Sequence, residues 1–183
     1  MKNIFILAFL FVAAVSGSAQ STNEDQGQWL KNNKKTVDTS ARKTVNGFGA
    51  NMLVVKNPDE FIKEWLKPEM PNLDTAENVN FNDRIGILVL FAGCQANSNG
   101  ICNTEVDYTL YRPDGKVIFE QKGLELWKNN APLKPNIQLG KAIIKLEMLK
   151  SNLIGEYKVK AKVYDRNANV SFDLETQFTL KSK

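Results

Sequence analysis

Residues 157–180 read YKVKAKVYDRNANVSFDLETQFTL, and this stretch decides the fold. Tyr157, Val159, Ala161 and Val163 alternate with Lys158, Lys160 and Lys162. Val170, Phe172, Leu174, Phe178 and Leu180 alternate with Ser171, Asp173, Glu175 and Thr179. A period of two puts successive side chains on opposite faces of a half-buried strand. Between the runs, Asp165-Arg-Asn-Ala168 supplies turn residues, so an antiparallel hairpin is predicted. In that register Lys160 stands opposite Asp173 and Lys158 opposite Glu175. Each opposed pair contributes a few tenths of a kcal/mol, up to about 1. The lysine row thus has a structural explanation on a solvated sheet face.

Working back from the hairpin, the same pattern recurs. Cys102, Thr104, Val106, Tyr108 and Leu110 alternate with Asn103, Glu105, Asp107 and Thr109. Arg112-Pro-Asp-Gly115 then predicts a turn, because proline presets φ and glycine tolerates a positive one. Lys116 to Gln121 returns as its partner strand, and Lys122 to Asn136, with Trp127, Pro132 and Pro135, reads as an irregular connection. Ile137 to Leu149 alternates through Ala142, Ile144, Leu146 and Met148, though Leu139 to Leu149 also permits a helix. Ile85 to Phe91 is a continuous apolar run, expected of a central strand buried on both faces. Gly47 to Lys56 reads as the first strand.

One helix is predicted, near residues 58–67. Asn57 is its cap candidate, Pro58 suits the first helical position, and Asp59 and Glu60 complement the dipole. Phe61, Ile62, Trp65 and Leu66 form its apolar face before Pro68 stops it. The polar connection from Glu69 to Asp83 holds Asp74, Glu77, Asn78, Asn80, Asn82 and Asp83. It lacks the spacing and the turn glycine of a calcium loop, so no metal is expected there.

Short alternating strands, frequent turns and one minor helix predict a mainly β, antiparallel sandwich. YTLYRPDGKVIFEQ (108–121) and NLIGEYKVKAKVYD (152–165), followed by the last strand, resemble bacterial immunoglobulin-like or macroglobulin-type sandwich domains over about residues 84–180. The resemblance implies a structural corner at Gly155 and Tyr157, with the Tyr157 hydroxyl tied back to upstream backbone. The chain departs from the antibody pattern, since no tryptophan lies between its two cysteines. No functional residue is carried over by the resemblance.

The N-terminus has the build of a secretory signal peptide over residues 1–19. Lys2 precedes an apolar run from Ile4 to Val15, and small residues Ser16, Gly17, Ser18 and Ala19 follow. The run is about a dozen residues, short of the roughly 20 that cross a bilayer. Cleavage near Ala19 therefore predicts a periplasmic or secreted bacterial product with no transmembrane segment. Residues 20–44 are polar and read as a flexible arm, solvated despite its cluster Lys31, Lys34 and Lys35. Residues 45–183 are expected to form one sandwich domain.

An oxidising compartment changes how Cys94 and Cys102 are read. They are too widely spaced for a redox pair and have no histidine to complete a zinc site, so a structural disulfide is expected. Closing so short a loop contributes roughly 2–3 kcal/mol. The 183 residues contain no histidine. That removes triad catalysis, histidine-ligated metals and the commonest general base. No phosphate or dinucleotide loop is present, so no cofactor is expected. The net charge of +4 is too weak to imply nucleic acid without a clustered patch.

The expected function is a non-catalytic binding or structural module of the periplasm or extracellular space. Its partner is expected to be another protein or an envelope component. The disulfide loop, the Trp127 connection and the basic arm are the candidate contact regions. Two other readings stand beside it. One is a secreted effector or hydrolase using carboxylates such as Glu105, Asp107, Asp173 and Glu175. The other is a binder of anionic envelope polymers through the lysines.

Overall fold

The computed structural model describes residues 29–31, 34–68, 73, 75–133 and 137–182. The expected signal peptide, residues 20–28 of the expected arm and Asp74 lie outside them. In chain order the elements are β1 (Leu30–Lys31), β2 (Lys34–Lys35), β3 (Arg42–Val45), β4 (Phe48–Lys56) and α1 (Pro58–Trp65). Then come β5 (Asn78–Asn80), β6 (Arg84–Ala92), β7 (Thr104–Tyr111), β8 (Val117–Trp127) and β9 (Gln138–Leu139). The last three are β10 (Ile144–Glu147), β11 (Gly155–Asp165) and β12 (Val170–Lys181).

Two five-stranded sheets face each other. One runs β10-β6-β4-β3, with β9 also on β6, and the other runs β5-β12-β11-β7-β8. All their pairings are antiparallel except β5 with β12. Immunoglobulin sandwiches place strands A, B and E in one sheet and C, F and G in the other. Here β4, β6 and β10 hold the first set of places, and β7, β11 and β12 the second. The expected immunoglobulin-like β-sandwich is the observed fold, with one short helix among the described residues.

The inward side chains of both sheets make the main core. Phe48, Met52, Ile87, Val89 and Phe91 of the first sheet meet Tyr108, Leu110, Val159, Leu174 and Phe178 of the second. A smaller cluster covers the other face of the first sheet, where Leu53, Val55, Leu88 and Leu90 pack against Trp29 and Phe61. That explains why β6 is apolar without alternation: it is buried on both sides.

Several expectations need correcting. The hairpin register differs by two residues, since Asp165 pairs with Val170 and Lys160 with Glu175, leaving Lys162 opposite Asp173. The turn is Arg166–Asn169 rather than Asp165–Ala168, because Asp165 is drawn inward as the last residue of β11. β8 runs on to Trp127 instead of stopping at Gln121. Its three register irregularities against β7 let the longer strand stay paired. Ile137 to Leu149 contains no helix, only β9 and β10. At Gly140 the chain slips between β6 and β8; a Cβ there would lie 2.1 Å from Leu126 Cδ1 and 2.9 Å from Val89 O.

The helix ends at Trp65, and Asn57 sits in the left-handed region with no side-chain cap bond. Phe61 and Trp65 stack at 6.0 Å between centroids, while Leu66, just past the helix end, is exposed. Part of the expected arm belongs to the fold. Trp29 is buried, β1 pairs with β2, and β3 begins at Arg42.

Candidate functional site at the disulfide-loop end

Cys94 and Cys102 form the expected disulfide. It closes the connection between β6 and β7, which sits at the same end of the sandwich as the β11–β12 turn. Within the loop, Asn97 acts as an internal template. Its Oδ1 accepts Asn99 N at 2.9 Å and Ile101 N at 3.1 Å, and its carbonyl accepts Gly100 N at 2.9 Å. A side-chain acceptor two residues back mimics a backbone turn. Gly100 takes φ +79° to complete it.

The loop is then bound to two neighbouring segments. Toward the β8 side, Cys102 N donates to Asn129 O and Ala131 N to Gly100 O, both at 2.9 Å. Trp127 donates its Nε1 hydrogen to Asn130 O at 3.0 Å and tilts against Phe91. The disulfide loop and the Trp127 connection, separate in sequence, are thus one surface.

On the hairpin side the key residue is Asp165, 1% exposed. Its Oδ2 accepts Gln95 N at 2.7 Å, and its Oδ1 accepts Asn167 N at 3.1 Å and Ala168 N at 3.2 Å. Burial pushes its carboxyl above the ordinary value, and these three backbone donors pull against that rise. Asn167 extends the tie by donating Nδ2 to both Gln95 O and Ile101 O at 2.8 Å. Arg166 N donates to Asn103 O. Meanwhile Gln95 through Gly100 stay exposed. The result is a polar tip on a braced base.

Asp165 and Asn167 were not among the sequence candidates. The signal was present: continuing the inward series Tyr157, Val159, Ala161, Val163 by two places a carboxylate inside.

Below the tip, the outer face of the second sheet carries a charge network. Glu105 is held by Lys128 at 2.8 Å and Arg166 at 2.8 Å. The Lys128 hydrogen bond, with Arg166 beside it, lowers its pKa despite partial desolvation. Tyr164 donates its hydroxyl to Asp107 Oδ2 at 2.7 Å, and Arg166 stacks over the Tyr164 ring at 4.0 Å. Glu175 is approached by Lys158 at 3.3 Å and Lys160 at 3.7 Å. Lys162 lies over Tyr164. The carboxylates considered for hydrolysis therefore sit on an open sheet face among cations, a phenol and backbone.

The structural corner lies at the opposite end. Tyr157 donates its hydroxyl to Leu153 O at 2.9 Å, as the resemblance implies. Its ring stacks on Phe178 with centroids 5.0 Å apart. Gly155, at φ +130°, leaves room for Pro113, whose Cβ would lie 3.0 Å from an added Cβ. Among the described residues, no group of three or more acidic or cysteine side chains is placed to hold a metal. No helix among them is long and apolar enough to cross a membrane.

No protein-family model and no curated protein matches the chain. Solved structures do. A family 123 glycoside hydrolase from Clostridium perfringens is 12% identical, over 73% of this chain and 27% of its own, with a TM-score of 0.38. A CARDB domain from Pyrococcus furiosus, solved with di-metal ions, is 9% identical, over 80% of this chain and 100% of its own, at 0.37. A lytic polysaccharide monooxygenase from Streptomyces lividans is 14% identical, over 62% and 64%, at 0.27. This chain spans about a quarter of the hydrolase chain. Such distant likenesses transfer no residue, metal or substrate to this protein.

Proposed function

We propose that this protein is an exported, non-catalytic recognition module that contacts another protein or an envelope component through its disulfide-loop end. One observation carries the reading: the exposed tip Gln95–Gly100 is fixed by the disulfide, by Asp165 and Asn167, and by Asn129–Ala131. A loop held in one shape before contact loses little conformational entropy on binding. The immunoglobulin-like topology is the part of the family resemblance that the strand order supports. The disulfide supports an oxidising, extracytoplasmic address.

The other readings have less behind them. A carboxylate-dependent hydrolase needs an acid of raised pKa facing a substrate cleft, whereas Glu105 is lowered and paired. An anionic-polymer site needs free cations, whereas Lys158 and Lys160 share Glu175.

Site-specific photo-crosslinking tests the proposal. A crosslinker at Ser98 should yield a discrete adduct in envelope extracts, and Ala96→Arg should abolish it without altering stability. A crosslinker at Glu120, seven residues from Trp127 toward the opposite end of β8, should yield none. Adducts of equal yield from both positions, or none from Ser98, would overturn the reading.

A further inference from the structure

Along one side of the sandwich the sheets are not closed by a continuous strand. At one end Ser40 O accepts Glu175 N and Ala41 O accepts Met52 N, both at 2.8 Å. At the other, Glu77 O accepts Thr179 N at 2.8 Å and Ala76 N donates to Val54 O at 2.7 Å. The chain thus straps β4 to β12 twice, leaving a groove of about 800 Å³ between the straps. Backbone groups alternate in direction along a strand. Since Glu175 and Thr179 point their N–H groups out of the sheet edge, so does Gln177, and it meets no partner among the described residues. On β4 the N–H of Val54 faces the groove by the same alternation.

Arg42 lines the groove beside the Ser40–Ala41 strap. One of its terminal nitrogens donates to Val37 O at 3.0 Å. Its Nε is buried with no acceptor, and none of the ion pairs among the described residues includes it. The guanidinium charge therefore meets no carboxylate among the described residues, and a carboxylate entering the groove that Arg42 lines would pair with it.

We propose that this gap binds the free carboxylate end of an extended peptide. Length selects a chain end. The four-residue interval from Glu175 to Thr179 spans only about 13 Å, and the straps occupy the edge beyond it on both sides. On β4 the same straps hold Met52 and Val54, two residues or about 7 Å apart. A through-running strand has no room, whereas the last one or two residues of a chain fit. Their backbone pairs with Gln177 and Val54, and the terminal carboxylate accepts from Arg42. Glu175, nearby, is occupied by Lys158 and Lys160. Exposed Glu77, at the far strap, favours a neutral or basic residue upstream of the carboxylate. By contrast, the open edge of β8 is broken by three register irregularities, a device that discourages strand addition.

The test is an amide NMR titration of the oxidised full chain with N-acetyl-Ala-Val-Ala as free acid and as C-terminal amide. Saturable shifts are expected at the Val54 and Gln177 amides. Binding should weaken by at least about tenfold for the amide and for Arg42→Gln with the free acid. No shift by about 10 mM, equal affinity of acid and amide, or shifts confined to other surfaces would overturn the proposal. If Arg42→Gln fails to fold, the acid–amide comparison on the unaltered protein decides.

Discussion

Asp165 and Gln95, seventy positions apart, are joined by a 2.7 Å bond from the Gln95 backbone N–H to the Asp165 carboxylate. Through it, the turn between β11 and β12 holds the disulfide loop. Asp165→Ala leaves three backbone donors without their acceptor and should cost about 1–3 kcal/mol. Asp165→Asn, which keeps one acceptor oxygen, should cost less. Urea unfolding gives the energies, and amide exchange at Gln95, Asn167 and Ala168 shows whether the loss is local.

The two carboxylates of this end should respond to pH in opposite senses. Burial raises Asp165 in the folded state. Its contribution to stability is therefore full below the unfolded pKa and declines as pH rises through the folded one. Glu105 is lowered by Lys128 and Arg166. Its contribution is present above the unfolded pKa and is lost as pH falls through the folded one. Carboxyl NMR titration should place the Asp165 midpoint above, and the Glu105 midpoint below, the ordinary aspartate and glutamate values.

Replacing both Cys94 and Cys102 by serine should remove roughly 2–3 kcal/mol. Exchange protection should fall at Asn99 and Ile101 while the β6 and β11 amides stay protected relative to the new global stability. Uniform loss across both sheets would contradict a loop-bracing role for the bond.

Glycine substitutions should separate packing from conformation. Gly140→Ala drives a methyl into Leu126 and Val89 O and should cost about 1–3 kcal/mol through overpacking. Gly86→Ala sets a methyl 2.6 Å from Pro58 Cβ, so α1 should shift, with changed Trp65 fluorescence. Gly100→Ala meets nothing within 4 Å but keeps φ +79°, so its cost of about 1–2 kcal/mol is backbone strain alone.

The observed register predicts which charge pairs are coupled. A double-mutant cycle on Lys160 and Glu175 should give a few tenths of a kcal/mol, as exposed pairs do. The cycle on Lys160 and Asp173 should give nothing measurable.

Much of the sandwich is legible along the chain, because period-two alternation is a local consequence of strand geometry. Tyr157 to Val163 and Val170 to Leu174 show their buried face in any register. The Arg112–Gly115 turn is equally local: Gly115 N donates to Arg112 O at 2.9 Å, and Asp114 pairs with Arg112. The candidate site was only half visible. The disulfide loop and the Trp127 connection could each be named, yet nothing local says that Ile101 pairs with Asn130.

By itself the sequence determined the alternation of β7, β11 and β12, the apolar run of β6, the helix position, the Arg112–Gly115 turn and the Cys94–Cys102 pair, because each depends on neighbours in the chain. Only the tertiary structure decided the rest. Whether Lys160 meets Asp173 or Glu175 depends on where β11 stops, and that depends on Asp165 finding three donors in the packed interior. Trp29 is buried because β6 turns a second apolar face toward it. The gap beside Arg42 exists because two straps from distant parts of the chain leave the Gln177 N–H between them without a partner among the described residues. Alternation is a property of one strand, whereas register, straps and gaps are properties of pairs.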